Sequence, residues 1–159
     1  MSKPTLLIVV PVYGHFDYAA SAVSSALQSS QAFKTTVAVI DDASPEAVDI
    51  SHPLKHQFAQ YAETVRHFQE THDPTSIVQM RFEEGGGLTR SWNAGLTYAR
   101  DHGFDYCCVT NSDVIFAPGW DVEILEGLKK FALVGPVTNT PGDSKHQQVS
   151  RYSKKYSKT

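Results

Sequence analysis

Several short polar clusters interrupt the apolar runs of this sequence and carry groups able to do chemistry. "TNSDVIF", Thr110 to Phe116, sets Asn111, Ser112 and Asp113 between the apolar runs "YCCV" and "VIF". "VIDDAS" ends another apolar run in two acids, Asp41 and Asp42. "EEGGG" places Gly85, Gly86 and Gly87 after a further acidic pair, with Arg90 soon after. "PVYGH" closes the first apolar run with Pro11, Val12 and Tyr13. Carboxylates such as Asp41 and Asp42 can accept hydrogen bonds from a base edge or from ribose hydroxyls. Tyr13 can stack on a base, the glycines allow close backbone approach, and Arg90 can face a phosphate. Asp113 can hold a hard divalent cation, which prefers oxygen ligands and bridges phosphate oxygens. The charge that develops on a departing diphosphate is the kind of charge such a cation stabilises. Plainer roles stand beside these. Asp113 can cap a turn, one of the two aspartates can cap a helix, Tyr13 can pack at a strand end, and the glycines can form a simple loop.

These clusters need elements to position them. "TLLIVV" and Thr36 to Ile40 are continuous apolar, β-branched runs, the pattern of strands covered on both faces. "SIVQMRF", "YCCVT" and "ALVGPV" read as three more strands. Between them lie helical patterns. Ala19, Ala22, Val23, Ala26 and Leu27 recur at helical spacing, with Asp17 placed to cap the start. Leu54 to His67 reads as a second helix. A third follows the glycine loop, with Leu88, Trp92, Leu96 and Ala99 on one side and Gly103 as its stop. "PGWDVEILEGLKKF" is a fourth, with Pro118 near its start. Strands alternating with helices predict an α/β fold, a mostly parallel sheet with helices on both faces. Ligands of such sheets bind beyond the carboxyl ends of the strands, where the polar clusters fall.

A chain of 159 residues, 41% hydrophobic and 19% charged, suits one globular domain. The formal net charge is −3, although Arg151, Lys154, Lys155 and Lys158 give the last nine residues +4, so residues 1–150 carry −7. That sign argues against a nucleic-acid-binding surface. The basic tail could touch phosphates or an anionic membrane, and as a solvated end it need do neither. The adjacent Cys107 and Cys108 point to opposite faces of a strand and are poorly placed to pair, as befits a reducing compartment. The apolar stretch Leu6 to Val10 is too short for a signal-peptide core or a membrane span, so the expected location is cytoplasmic, with a peripheral membrane contact open.

The order "VVPVYG", "VIDDAS", "GGGLTRSWNAGL", "TNSDVIFAPGW" resembles family 2 glycosyltransferases of the GT-A fold, over about residues 5 to 137. In that family a first strand ends in a Pro-Val-Tyr turn, and a second ends in an acidic pair followed by Ser. A glycine-rich segment leads to Asn-x-Gly on a helix, here Asn93 and Gly95. An Asp-x-Asp or Asn-x-Asp metal motif precedes Pro and Trp, here Pro118 and Trp120. The resemblance implies a Rossmann-like nucleotide-sugar-binding core over residues 1–137, followed by a C-terminal segment and basic tail over 138–159. It implies that Pro11, Val12 and Tyr13 lie by the base. Asp41 would accept from the base N–H, with Asp42 nearby, while Gly87 and Arg90 remain nucleotide-binding candidates from the residue reading above. Asn111 and Ser112 would approach the ribose or a metal-bound water, and Asp113 would hold Mn²⁺ or Mg²⁺. In the late segment "PGDSKHQQ", His146 is the candidate second metal ligand and Asp143 the candidate catalytic base. Trp92 stands where the family usually has Arg, and Asn111 where it more often has Asp.

The activity implied is metal-dependent transfer of a sugar from a nucleotide-diphosphate donor, expected to be UDP-linked, to a hydroxyl acceptor. Inversion by in-line displacement is the expected outcome. The acceptor could be a glycan, a lipid-linked sugar or a protein, and a second copy of the chain could complete its site. Two rivals differ in class. A nucleotide-sugar-binding module without transfer, or a truncated enzyme, would fit the short chain. A sugar-phosphate nucleotidyltransferase would need a basic glycine loop after the first strand, and "PVYGHFDYAA" has no Lys or Arg.

Overall fold

The computed structural model describes residues 2–136. Four strands, β1 (Thr5–Val12), β2 (Lys34–Asp41), β3 (Ile77–Arg81) and β4 (Tyr106–Val109), form one sheet in the order β3-β2-β1-β4. Every pairing is parallel, with Ile8 opposite Val37 on one side and opposite Cys108 on the other. β1 is central and without exposed edges, and its Leu7 to Val10 are fully buried. That burial on both faces is why "LLIVV" is apolar without alternation.

The helices are α1 (Phe16–Ser29), the single-turn α2 (Pro45–Val48), α3 (Lys55–Thr71), α4 (Leu88–Asp101) and α5 (Trp120–Leu128). On one face of the sheet Leu7, Val9, Ala38 and Ile40 pack with Ala99 of α4, flanked by Trp92 and Tyr98. On the other, Phe16 of α1 meets Phe58 and Tyr61 of α3 at ring-centroid distances of 5.0 and 5.1 Å. Helices therefore cover both faces, as the alternation of elements implied. No described helix is long and apolar enough to cross a membrane.

Three local expectations differ from what forms. Ala132 to Pro136 is not a strand; Gly135 and Pro136 weaken extended pairing, since Pro donates no ladder hydrogen bond. The start of α1 is capped at His15, whose side chain makes no capping bond, while Asp17 sits in the first turn. The buried face of α4 is Ser91, Gly95 and Ala99, whereas Leu88 and Leu96 are 44% and 45% exposed. The small residues face the sheet because α4 lies against it too closely for larger ones. A Cβ on Gly95 would stand 2.4 Å from both methyl carbons of Val9.

The chain divides into two compact units, Met1–Asp121 and Val122–Thr159. The sheet, α1 to α4 and the first two residues of α5 belong to the first. In the second, Gly127 leaves room for Val134, whose methyls would lie 3.0 and 3.1 Å from an added Cβ. The segment expected from residue 138 onward lies outside the described residues.

Candidate active site

In the order β3-β2-β1-β4, β1 and β4 are neighbours, and a crevice lies at the carboxyl ends of the central strands. Two adjoining cavities fill it. One, of about 360 Å³, is walled by Pro11, Val12 and Tyr13 at the end of β1, Asp42 just after β2, Gly85 and Gly87 of the glycine loop, and Leu88 and Ser91 of α4. The other, of about 280 Å³, shares Pro11, Tyr13 and Leu88 and adds Gly14, His15 and Tyr18 on one side. Asn111, Ser112 and Asp113 line it as well. Tyr13 is 69% exposed, so its ring stands at the surface rather than packed in the core.

The two aspartates after β2 part company. Adjacent residues of an extended chain point to opposite sides, and Ala43, left-handed at φ 67°, turns the chain immediately after them. Asp41 points away from the crevice, accepting the Ser44 amide at 2.8 Å and pairing with Arg81, which also donates to the Ser44 carbonyl. It borders a separate cavity with Phe58 and Tyr61. Asp42 faces the crevice. Its carboxylate accepts the Gly87 amide at 2.7 Å, the Gly86 amide at 3.0 and 3.1 Å and the Arg90 guanidinium at 2.6 Å. Burial pushes the Asp42 carboxyl up, but the Gly87 amide, Arg90 and the Gly86 amide outweigh it and hold the group below its ordinary value. A carboxylate offers about four lone-pair positions, so three donors leave roughly one for a ligand.

Arg90 is not turned to the crevice either. Its guanidinium lies 3.8 Å from the Phe82 ring centroid, pairs with Asp42 and donates to the Glu84 carbonyl. It braces the glycine loop instead: a side chain at Gly86 would collide with it at 2.3 Å.

The loop from β4 to α5 is fastened at several points. The Thr110 amide donates to the Val9 carbonyl at 3.2 Å, and the Trp92 indole donates to the Thr110 carbonyl at 2.9 Å. The Phe116 amide donates to Ser25 Oγ at 3.1 Å. Asp121, fully buried, accepts Ser30 Oγ and the Gln31 and Ala32 amides at 2.8 Å each, and the Phe33 amide at 3.4 Å. Burial pushes its carboxyl up, and these donors outweigh that and hold it low. Between these fixings Asn111 and Asp113 stand exposed to solvent.

The sequence model described as glycosyl transferase family 2 matches residues 7–158. The chain belongs to glycosyl transferase family 2. Among solved structures it is similar to the mannosyltransferase PcManGT from Pyrobaculum calidifontis in complex with GDP-Man and Mn²⁺, with a TM-score of 0.54 and 19% identity. That match covers 86% of this chain and 34% of the other, so the chain spans about a third of that protein's length. At this identity the likeness shows a shared GT-A-type fold. No curated protein matches the chain.

For this family 2 chain, the fold brings together Pro11, Val12, Tyr13, Asp42, Gly87, Asn111, Ser112 and Asp113 around one crevice. It leaves Asp41 and Arg90 outside the cavity walls. Asp143 and His146 lie outside the described residues. Sequence reading did not single out Leu88, Ser91, His15 or Tyr18 as site residues. Leu88 and Ser91 were hidden by the usual expectation that large apolar residues face the core. His15 lacked a metal-ligand partner at helical or turn spacing. Beneath the turn after β1 lies another unforeseen group, Glu46, 1% exposed, with Oε1 unpartnered 3.2 Å from where a Gly14 side chain would start.

Among the described residues no three His, Cys, Asp or Glu side chains converge as a ready metal cage. The donor set does fit a hard cation that arrives with phosphates. Such an ion takes one or two protein carboxylates and fills its shell with water and phosphate oxygens. Asp113 would supply the carboxylate, and Asn111 and Ser112 line the same cavity.

Proposed function

We propose that the protein is a metal-dependent glycosyltransferase moving a sugar from a nucleotide-diphosphate sugar to a hydroxyl acceptor, with inversion. The observation that carries the reading is the pair of adjoining cavities that share Pro11, Tyr13 and Leu88, with Asp42 in one and Asp113 in the other. The apolar cavity suits a base lying on Tyr13, with an N–H donating to the free acceptor position of Asp42. The base-reading role expected of Asp41 passes to Asp42 in this arrangement. The cavity beside Asn111, Ser112 and Asp113 suits the diphosphate, with Mn²⁺ or Mg²⁺ held by Asp113. When bound, the cation supplies Lewis-acid stabilisation of the leaving diphosphate. The chain's own residues orient the donor, and the pinned β4–α5 loop keeps Asp113 in place without reorganisation at the moment of reaction. A uracil or a guanine each offers an N–H for Asp42. A UDP-sugar is the donor expected from the sequence, and the structure of similar fold holds GDP-Man.

The test is calorimetric titration with UDP, GDP and their common sugar conjugates, with Mn²⁺, with Mg²⁺ and with chelator. Metal-dependent binding of one nucleotide diphosphate is expected in the native protein. Asp113→Ala should lose it at least tenfold with the fold unchanged by circular dichroism. Undiminished metal-dependent binding by the variant would overturn the assignment.

A further inference from the structure

A nucleotide diphosphate brings two or more negative charges, and this crevice is poor in cations to meet them. Of the described residues lining either cavity, none is Lys or Arg, and His15 alone can carry positive charge. The nearest guanidinium groups are committed elsewhere, Arg90 to Asp42 and Arg81 to Asp41. His15 faces the cavity that also holds Asp113, Asn111 and Ser112. It is exposed, and among the described residues no hydrogen-bond partner takes up either of its ring nitrogens.

Its backbone is unusual as well. His15 sits at φ 53° and ψ 51°, left-handed, directly after Gly14 at φ 69°. Non-glycine residues rarely adopt that conformation, and when they do it is often at a ligand site. As the residue before α1, His15 could have used its side chain to cap the helix, but it makes no such bond. The ring instead stacks on Tyr18, with centroids 5.7 Å apart and planes at 26°. Two consecutive left-handed residues and one aromatic support thus hold an imidazole against the crevice. The turn beneath is fixed by the Gly14 amide donating to Ser44 Oγ at 2.9 Å.

We propose that His15 is the phosphate-contacting residue of this chain, donating an imidazole N–H to an oxygen of the donor's diphosphate opposite Asp113 and its cation. The proposal rests on the nucleotide-sugar reading above and adds to it a specific residue and the ligand group it meets. A hydrogen bond to a charged oxygen is worth roughly tenfold in affinity or more. The contact serves the diphosphate and not the base, so it discriminates a nucleoside diphosphate from its nucleoside.

The experiment titrates the full chain and two variants with UDP, GDP, uridine and guanosine in the presence of Mn²⁺. His15→Gly removes the side chain and accepts the left-handed backbone, and His15→Asn keeps that backbone tolerable with a shorter polar group. Expected is a roughly tenfold or greater loss for the diphosphate in both variants, with nucleoside affinity within about twofold of native. Equal losses for nucleoside and diphosphate would show that His15 merely shapes the turn under Tyr13, and would overturn the proposal. Unchanged diphosphate affinity would overturn it too, while leaving the glycosyltransferase reading intact. A native chain that binds neither diphosphate would instead refute that reading itself.

Discussion

Gly95 sets how closely α4 can approach β1, and replacing it by alanine measures that approach. A Cβ there would stand 2.4 Å from Cγ1 and Cγ2 of Val9 and 3.0 Å from its Cβ. Both methyls belong to a fully buried, β-branched residue at the centre of the sheet, so neither can swing aside. Ordinary carbon contact begins near about 3.5 Å, so the helix must withdraw by about 1 Å. Overpacking costs about 1–3 kcal/mol, and a double methyl collision belongs at the upper end. Alanine returns about 1 kcal/mol of helix propensity over an interior glycine. The net loss is about 2 kcal/mol, a fall in Tm of about 4–8 °C for a chain of this size. Urea unfolding followed by circular dichroism would report it as a lower midpoint at unchanged slope. Val9→Ala removes the colliding methyls at its own cavity cost. In the double variant the methyl added at Gly95 occupies that space, so the pair should be less destabilised than the sum by about 1–2 kcal/mol. Withdrawal of α4 should also weaken nucleotide binding, since Leu88 and Ser91 form one wall of the larger cavity. A Gly95→Ala chain as stable as the native one, or an additive cycle with Val9→Ala, would refute the argument.

Asp121→Ala should cost about 3 kcal/mol or more, because it strands a hydroxyl and three amides that now share one carboxylate oxygen. Thermal unfolding checks the loss, and metal-dependent nucleotide binding should weaken with it as the β4–α5 loop loosens. Asp42 contributes stability through a folded-state pKa lying below its ordinary value of 3.8. That contribution is fully present above the unfolded pKa and disappears as pH falls through the folded one. The gap in urea midpoint between native protein and Asp42→Asn should therefore be widest near neutrality and shrink below about pH 4. A gap constant from about pH 7 to about pH 3 would show that the hydrogen bonds to Asp42 do not depend on its charge.

The sheet was the most legible part of the sequence. Two-sided burial writes itself as an unbroken apolar run, and "TLLIVV" and "TTVAVI" could be little else. The positions of the polar clusters followed from the same rule, since each lies just beyond a strand. Which member of an acidic pair turns inward was not legible, because adjacent extended residues face opposite sides and local sequence does not say which side holds the crevice. The inner face of α4 escaped the pattern for a related reason. Periodicity favours large apolar residues, while a helix pressed against a sheet needs small ones, and Ser91, Gly95 and Ala99 look like a polar-to-neutral stripe until Val9 is placed opposite. Arg90 was legible as a cation near a phosphate site, but its stacking on Phe82 and pairing with Asp42 depend on a loop fold that local sequence does not encode.

The pairing of β1 with β4 joins residues about a hundred positions apart, as in Leu6 opposite Tyr106 and the Thr5 amide donating to Asp105 at 2.8 Å. On a ribosome, β1, β2 and β3 can assemble while β4 has yet to be made. At about 5–20 residues per second the interval from β1 to β4 lasts roughly 5–20 s. Through that time the most apolar strand of the protein is a bare edge, open to pairing with another nascent chain. The crevice, which needs β1 and β4 side by side, forms only once β4 has been made. Anything that shields that edge until residue 109 has been made favours folding over pairing with another chain.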